Sequence, residues 1–273
     1  MAKKNGIARI RQFILLCILI MVAMSTWLAR ERSTDWNNTL WVAVFPINGD
    51  QSDSAAKYID ALDVDDFRPV EDFFQTELNR YGVTLDEPIH IDLRSELDER
   101  PPAPPTAGSV LSVIRWSLVM RYWTWRVERE EKGRVTPDIK IFMVYFDPET
   151  HDRLPHSVGV QKGLFGVVNA FASVRQRGSN LVVLSHELLH TVGATDKYDL
   201  ATGLPRHPEG YANPNAEPLY PQSKAEIMGG RTPLSPTRAE IPPSLQYTVI
   251  GPQTATEIRW IPEENQVPVL CGL

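Results

Sequence analysis

Cysteine is almost absent: the 273 residues hold two, Cys17 and Cys271. One lies in an apolar run near the start and the other close to the end. They are not expected to pair, so the fold must stand on its own core even where the compartment permits a disulfide. No cysteine lies between them, which excludes a thiol latch over a metal site. There is no glycine-rich phosphate loop and no internal repeat. Basic residues are scarce beyond the first 32 positions. Those positions take six of the 28 Lys and Arg but one of the 34 Asp and Glu, leaving 22 basic against 33 acidic residues. Nucleic-acid partners need basic patches, so none is expected. What remains is ordinary globular material, 42% hydrophobic and 23% charged. At this length it makes one large or two small domains.

There is a single long apolar run, Phe13 to Ala29. Lys3, Lys4, Arg9 and Arg11 precede it; Trp27 sits at its far end, and Arg30, Glu31 and Arg32 follow. The charge asymmetry predicts a transmembrane helix with its basic stub in the cytoplasm. The rest would then be an extracytoplasmic domain, periplasmic in a Gram-negative bacterium. The alternative is a signal peptide cut near Ala23-Met24-Ser25, giving a secreted protein. A lipoprotein is not expected, because Leu16 precedes Cys17 where a small residue is needed. Three segments follow: 1–32 as stub and anchor, 33–105 as a first soluble part, and 106–273 as the main one.

Within 33–105, Leu40 to Pro46 reads as a strand ended by proline, Asp66 to Tyr81 as a helix stopped by Gly82, and Pro88 to Leu93 as a strand. Phe67, Val70, Phe73, Phe74 and Leu78 share one side of that helix. Arg100 to Pro105 is a proline-rich connection. Ser109 to Lys132 reads as a long helix carrying Trp116, Trp123 and Trp125. It is expected to back a sheet, with a membrane-surface or substrate-gripping role as the alternative. Ile139 to Phe146 is apolar throughout, as a central strand is. Strands at 157–160 and 164–170 are joined by a turn at 161–163. Lys197 to Gln222 is long, proline-rich and irregular. A last helix is expected within 252–261, followed by a packed tail, 267–273. The expected fold class is α/β in the loose, α+β sense: a mixed sheet, a backing helix, a further helix carrying the motif below, and an irregular C-terminal part.

That motif is Ser185-His186-Glu187-Leu188-Leu189-His190-Thr191-Val192-Gly193-Ala194-Thr195-Asp196. Residues 180–192 read as a helix, with Asn180 or Ser179 able to cap its start. His186 and His190, four apart, share one face and can bind one zinc ion. Glu187 cannot join them as a ligand but can reach a water on the metal, as a general base must. Gly193 suits the left-handed residue that ends a helix. Asp196 then turns back as a third ligand, with Asp199 or His207 as alternatives. Two histidines, one aspartate and a water make an open site. The plain structural alternative is a buried helix with two satisfied histidines and a paired Glu.

The run H-E-x-x-H-x-x-G-x-x-D resembles the zinc signature of the metzincin metallopeptidases, in the Asp variant similar to the snapalysin-like members. Glu226-Ile227-Met228-Gly229-Gly230 is similar to the Met-turn of that family, an apolar floor under the metal. Some members carry a Tyr two residues after this Met; here Gly230 stands there, so Tyr198, Tyr211 and Tyr220 are the candidates for its role. The resemblance implies Zn2+ held by His186, His190 and Asp196, Glu187 as catalytic base, and a peptide or protein substrate laid along an edge strand, the 157–170 hairpin by position. A membrane-anchored zinc endopeptidase is thus expected. The alternative is a tethered binding or assembly factor with a structural or vestigial zinc site.

Overall fold

The chain's most apolar short runs become the strands of one five-stranded sheet. The computed structural model describes residues 11–17, 19, 20, 24, 34–103, 105, 110–131 and 134–261. Strands β1 (Leu40–Asn48), β2 (Ile89–Leu93), β3 (Ile139–Phe146), β4 (Val158–Val160) and β5 (Phe165–Phe171) lie in the order β2-β1-β3-β5-β4. The first four in that order are parallel; β4 is antiparallel to β5 and forms an edge. The fold is a mixed α/β, or α+β, structure, in agreement with the sequence. β1 and β2, from the segment 33–105, share this sheet with β3 to β5.

Parallel strands buried on both faces read as continuous apolar runs, and β1 and β3 do. Their period of two sorts the side chains into two layers. Val42, Val44, Ile139, Ile141, Met143 and Tyr145 face α1 (Asp53–Asp60), α2 (Arg68–Arg80) and α4 (Arg177–Thr191). Ala43, Phe45, Ile47, Phe142, Val144 and Phe146 face α3 (Val110–Glu130). This long helix backs the sheet as expected, through Met120, Trp123 and Val127; the Trp123 ring meets Phe142 edge-on at 4.7 Å. Its opposite side leaves Leu111, Leu118, Tyr122 and Trp125 exposed.

Two local readings need revision. β1 does not stop at Pro46 but continues to Asn48. β2 pairs with β1 only as far as Val44, and the Pro46 carbonyl accepts from Leu97 N on that same side. The proline nitrogen therefore faces a position where no ladder bond is required. Nor do Asn180 and Ser179 cap the motif helix. A short 3-10 turn, Val174–Gln176, leads into α4 at Arg177, one turn earlier than the polar pair suggested. Asn180 instead clamps the helix to the sheet: its Nδ2 donates to Phe171 O at 2.9 Å and its Oδ1 accepts from Phe171 N at 3.2 Å.

The segment 197–222 contains no helix or named strand. Beyond it lie β6 (Ala225–Glu226), β7 (Thr232–Ser235), β8 (Arg238–Glu240), β9 (Thr248–Val249) and the short helix α5 (Pro252–Glu257). β6 pairs in parallel with β9, and β7 and β8 form a hairpin.

The transmembrane expectation is overturned. No helix among the described residues is long and apolar enough to cross a membrane. The run 13–29 has 17 residues, about 26 Å as a helix, against the roughly 30 Å of hydrocarbon to be crossed. Residues 13–17, 19, 20 and 24 are helical and exposed; the rest of the run lies outside the described residues. α3 is long enough at 21 residues, but Arg115, Arg121 and Arg126 interrupt it. The tail 267–273, with Cys271, also lies outside the described residues.

Candidate metal centre

α4 carries the first three residues of the centre, and the chain that follows folds back to supply the fourth. Gly193, at φ +110, ends the helix in a conformation strained for any residue with a side chain. Three residues on, Asp196 returns to the helix. Its Oδ1 lies 3.2 Å from His186 Nε2 and 3.2 Å from His190 Nε2, and the two Nε2 atoms are 3.1 Å apart.

The far nitrogens settle the tautomers. His186 Nδ1 is 2.8 Å from Ile227 O, and His190 Nδ1 is 2.8 Å from Ala194 O. A carbonyl can only accept, so each Nδ1 carries a proton and each neutral ring presents a bare lone pair at Nε2. Two lone pairs and a carboxylate oxygen therefore converge with no donor among them. Left so, they repel. A proton on one ring would satisfy at most one edge of the triangle, whereas a dication at its centre satisfies all three. Four donors arranged tetrahedrally at 2.0–2.1 Å from zinc stand about 3.3–3.4 Å apart; the edges of 3.1 and 3.2 Å match within a few tenths. Asp196 Oδ1 has no hydrogen-bond donor of its own. Burial works against ionisation of Asp196, but once the imidazoles take up a second proton they donate to the carboxylate, outweigh burial and hold the carboxyl well below the usual range.

Glu187 points into the same space. It is 6% exposed, and its Oε2 has no partner. The Gly159 backbone amide, in edge strand β4, lies on the carboxylate's side and helps to lower its pKa. Burial raises the Glu187 pKa, the two imidazoles pull it down, and Asp196 pushes it up again; the net shift is upward. Gly159 is what lets β4 come this close, since a Cβ there would stand 2.3 Å from Glu187 O and 2.6 Å from His190 Cβ.

The alternatives for the third ligand are occupied elsewhere. Asp199 Oδ1 accepts from Ala201 N, Thr202 N and Thr202 Oγ1 in its own turn, and His207 Nε2 is 3.0 Å from Pro214 O. Of the three tyrosines, Tyr211 and Tyr220 bond to each other at 2.7 Å. Tyr198 alone joins the centre. Its phenol bonds to Asp196 and its ring lies 6.2 Å from that of His186. Burial, followed by the charges of Asp196 and Glu187, pushes its pKa up to about 12, so it stays a donor.

The turn at Ile227–Gly229 supplies the carbonyl that orients His186, and Met228 within it is fully buried. Glu226, wholly buried, holds this turn, a role unnoticed in the sequence, where it only opened the Met-turn-like run. It accepts from Gly229 N at 2.8 Å, Gly251 N at 3.0 Å and Thr254 Oγ1 at 2.7 Å. A Glu three residues before a glycine turn was the available signal. Lys197 and Glu257, also unnoticed, form a 2.6 Å ion pair beside Asp196; nothing local marks a pair 60 residues apart.

A second grouping, Glu71, Glu87 and His90, also brings three potential ligand atoms within 4.8 Å of one another. Glu71 Oε1 there accepts from Ile91 N at 2.7 Å and His90 Nδ1 pairs with Glu87 at 2.8 Å, so its donors and acceptors are already matched.

Compared with models of known protein families, the chain matches none, and it matches no curated protein sequence.

Proposed function

We propose that this protein is a zinc-dependent endopeptidase, with His186, His190 and Asp196 as ligands and Glu187 as general base. The observation that carries the reading is the triangle of three bare acceptor atoms, with edges of 3.1 and 3.2 Å, beside a buried carboxylate whose Oε2 is unpartnered. Zinc bound there would supply a water with its pKa lowered to about 7 and would polarise a carbonyl. Three ligands rather than four leave a position open for that chemistry.

The chain's own groups do the rest. Glu187 Oε2 takes a proton from water, and its burial favours the protonated form that then delivers the proton to the departing amine. The Gly159 backbone amide lies beside the carboxylate while this happens. The Tyr198 hydroxyl, protonated at neutral pH, turns from Asp196 to donate towards the oxyanion that forms on the attacked carbonyl. β4 is an edge strand next to the base. An extended peptide adds to such an edge through main-chain hydrogen bonds, which is why a peptide is the substrate class assigned.

The test is metal content and peptide cleavage measured together on wild type and Glu187→Gln. One zinc per chain in both is expected, with cleavage reduced by about 10²–10⁴ in the variant. Undiminished cleavage by the variant would remove Glu187 from the mechanism. Zinc in both with cleavage in neither would favour the non-catalytic binding or assembly factor.

A further inference from the structure

The third ligand differs from the two histidines in being carried by an irregular stretch with no helix behind it. Something must hold that stretch, or Asp196 would be free to swing away from the imidazoles. Both of its neighbours are tied to one carboxylate in the C-terminal helix. Thr195 N donates to Glu257 Oε2 at 2.8 Å and Thr195 Oγ1 donates to Glu257 Oε1 at 2.8 Å. Lys197 Nζ donates to Glu257 Oε2 at 2.6 Å and to Thr195 O and Oγ1 at 2.8 Å each. Lys197 is 6% exposed, so its charge is paired in a nearly dry place. On its other side, Lys197 N donates to Met228 O at 2.8 Å, which joins the same stretch to the turn that orients His186.

α5 is anchored in its turn. Gly251 N and Thr254 Oγ1 both donate to Glu226, the carboxylate that also holds Gly229 N in that turn. A ring therefore closes from Asp196 through Glu257 and α5 to Glu226, the turn and His186. Neither Glu257 nor Glu226 is among the proposed ligands, and neither lies in the H-E-x-x-H-x-x-G-x-x-D run.

We infer that Glu257 is a positioning residue for the metal centre: by clamping Thr195 and Lys197 on either side, it holds Asp196 against the two histidines, so metal affinity depends on the C-terminal helix. This rests on the proposed zinc site. Partners that orient ligands from behind are typically worth 10–100-fold in metal affinity, and Glu257 is expected to fall in that range. Glu257→Gln keeps the shape but replaces one accepting oxygen with a donor that faces Lys197 and Thr195. Thr195→Val removes only the hydroxyl, on an exposed side chain, and so tests the clamp without loading the core.

The experiment measures the zinc dissociation constant of the full chain by competition with a chromophoric chelator, and the melting temperature of the metal-free protein. Glu257→Gln should raise the dissociation constant about 10–100-fold, and Thr195→Val should raise it by less, with the metal-free melting temperature of Thr195→Val unchanged. If Glu257→Gln does not fold, Thr195→Val decides alone. A wild-type dissociation constant in the folded variants would overturn the inference, whether or not their metal-free melting temperature drops, since a merely structural clamp changes only the latter. Wild type that takes up no zinc would instead defeat the site itself, and this inference with it.

Discussion

Three acceptor atoms within 3.2 Å of one another are an unstable arrangement for bare protein, and Asp196 is where this can be tested. Asp196→Asn keeps the shape, removes the charge and adds a donor that one Nε2 can accept. Zinc affinity should fall steeply, while the metal-free variant should melt at or above the wild-type temperature. A large loss of metal-free stability would mean that the carboxylate has a structural role instead. A second residue-scale prediction concerns pH. Burial opposes a charge on His186, but Asp196, Glu187 and the Ile227 carbonyl outweigh it and raise its pKa. Protons compete with metal for that nitrogen. Apparent zinc affinity should therefore decline on acidification, starting above the ordinary histidine range. An affinity flat down to pH 5 would contradict it. His186, Glu187, His190 and Asp196 were legible in the sequence because a helix converts spacing directly into geometry, and a glycine told where the helix ends. Tyr198 was legible only as one of three, since an irregular loop has no period to read.

The elements that frame the site make narrower demands. β4 approaches α4 only because residue 159 has no side chain; an added Cβ would meet backbone, which cannot step aside. Gly159→Ala should cost about 1–3 kcal/mol in folding stability, the usual range for overpacking, and should slow cleavage by shifting the strand that lies against Glu187. Denaturant unfolding and steady-state kinetics check the two effects, and a variant with neither would remove the close contact from the account. On the far face, Trp123→Ala should cost about 3–5 kcal/mol, because the ring is buried against Phe142 and backs the sheet from behind. Zinc affinity should be unaffected in the protein that remains folded. The strands were read well because β3 and the 157–170 hairpin carry clean apolar patterns bounded by turn residues. Helix ends were read less well. Asn180 looked like a cap, yet its amide ties α4 to the end of β5, a contact made in three dimensions and invisible along the chain.

At the scale of the molecule, sheet, motif helix and C-terminal segment meet at one place. The sequence marked the first two. Of the third it marked only the turn at 226–230, because Glu226 reaches Gly251 and Thr254, and Glu257 reaches Lys197 and Thr195, across gaps of 25–28 and 60–62 residues. The apolar run at 13–29 misled in the opposite way: composition and flanking charge fit a membrane span, but no helix among the described residues is long and apolar enough to cross a membrane. If zinc belongs to the folded state alone, its removal must destabilise the whole protein. At free zinc a thousandfold above the dissociation constant the linkage is about 4 kcal/mol, so chelation should lower the melting temperature by several degrees and readdition should restore it. The central claim is tested most directly by stripping the purified full chain with chelator and titrating zinc back while recording peptide cleavage. The account predicts no cleavage in the stripped protein and a rise that reaches its plateau at one zinc per chain. Cleavage that survives stripping, or a stripped chain that takes up no zinc, would contradict it.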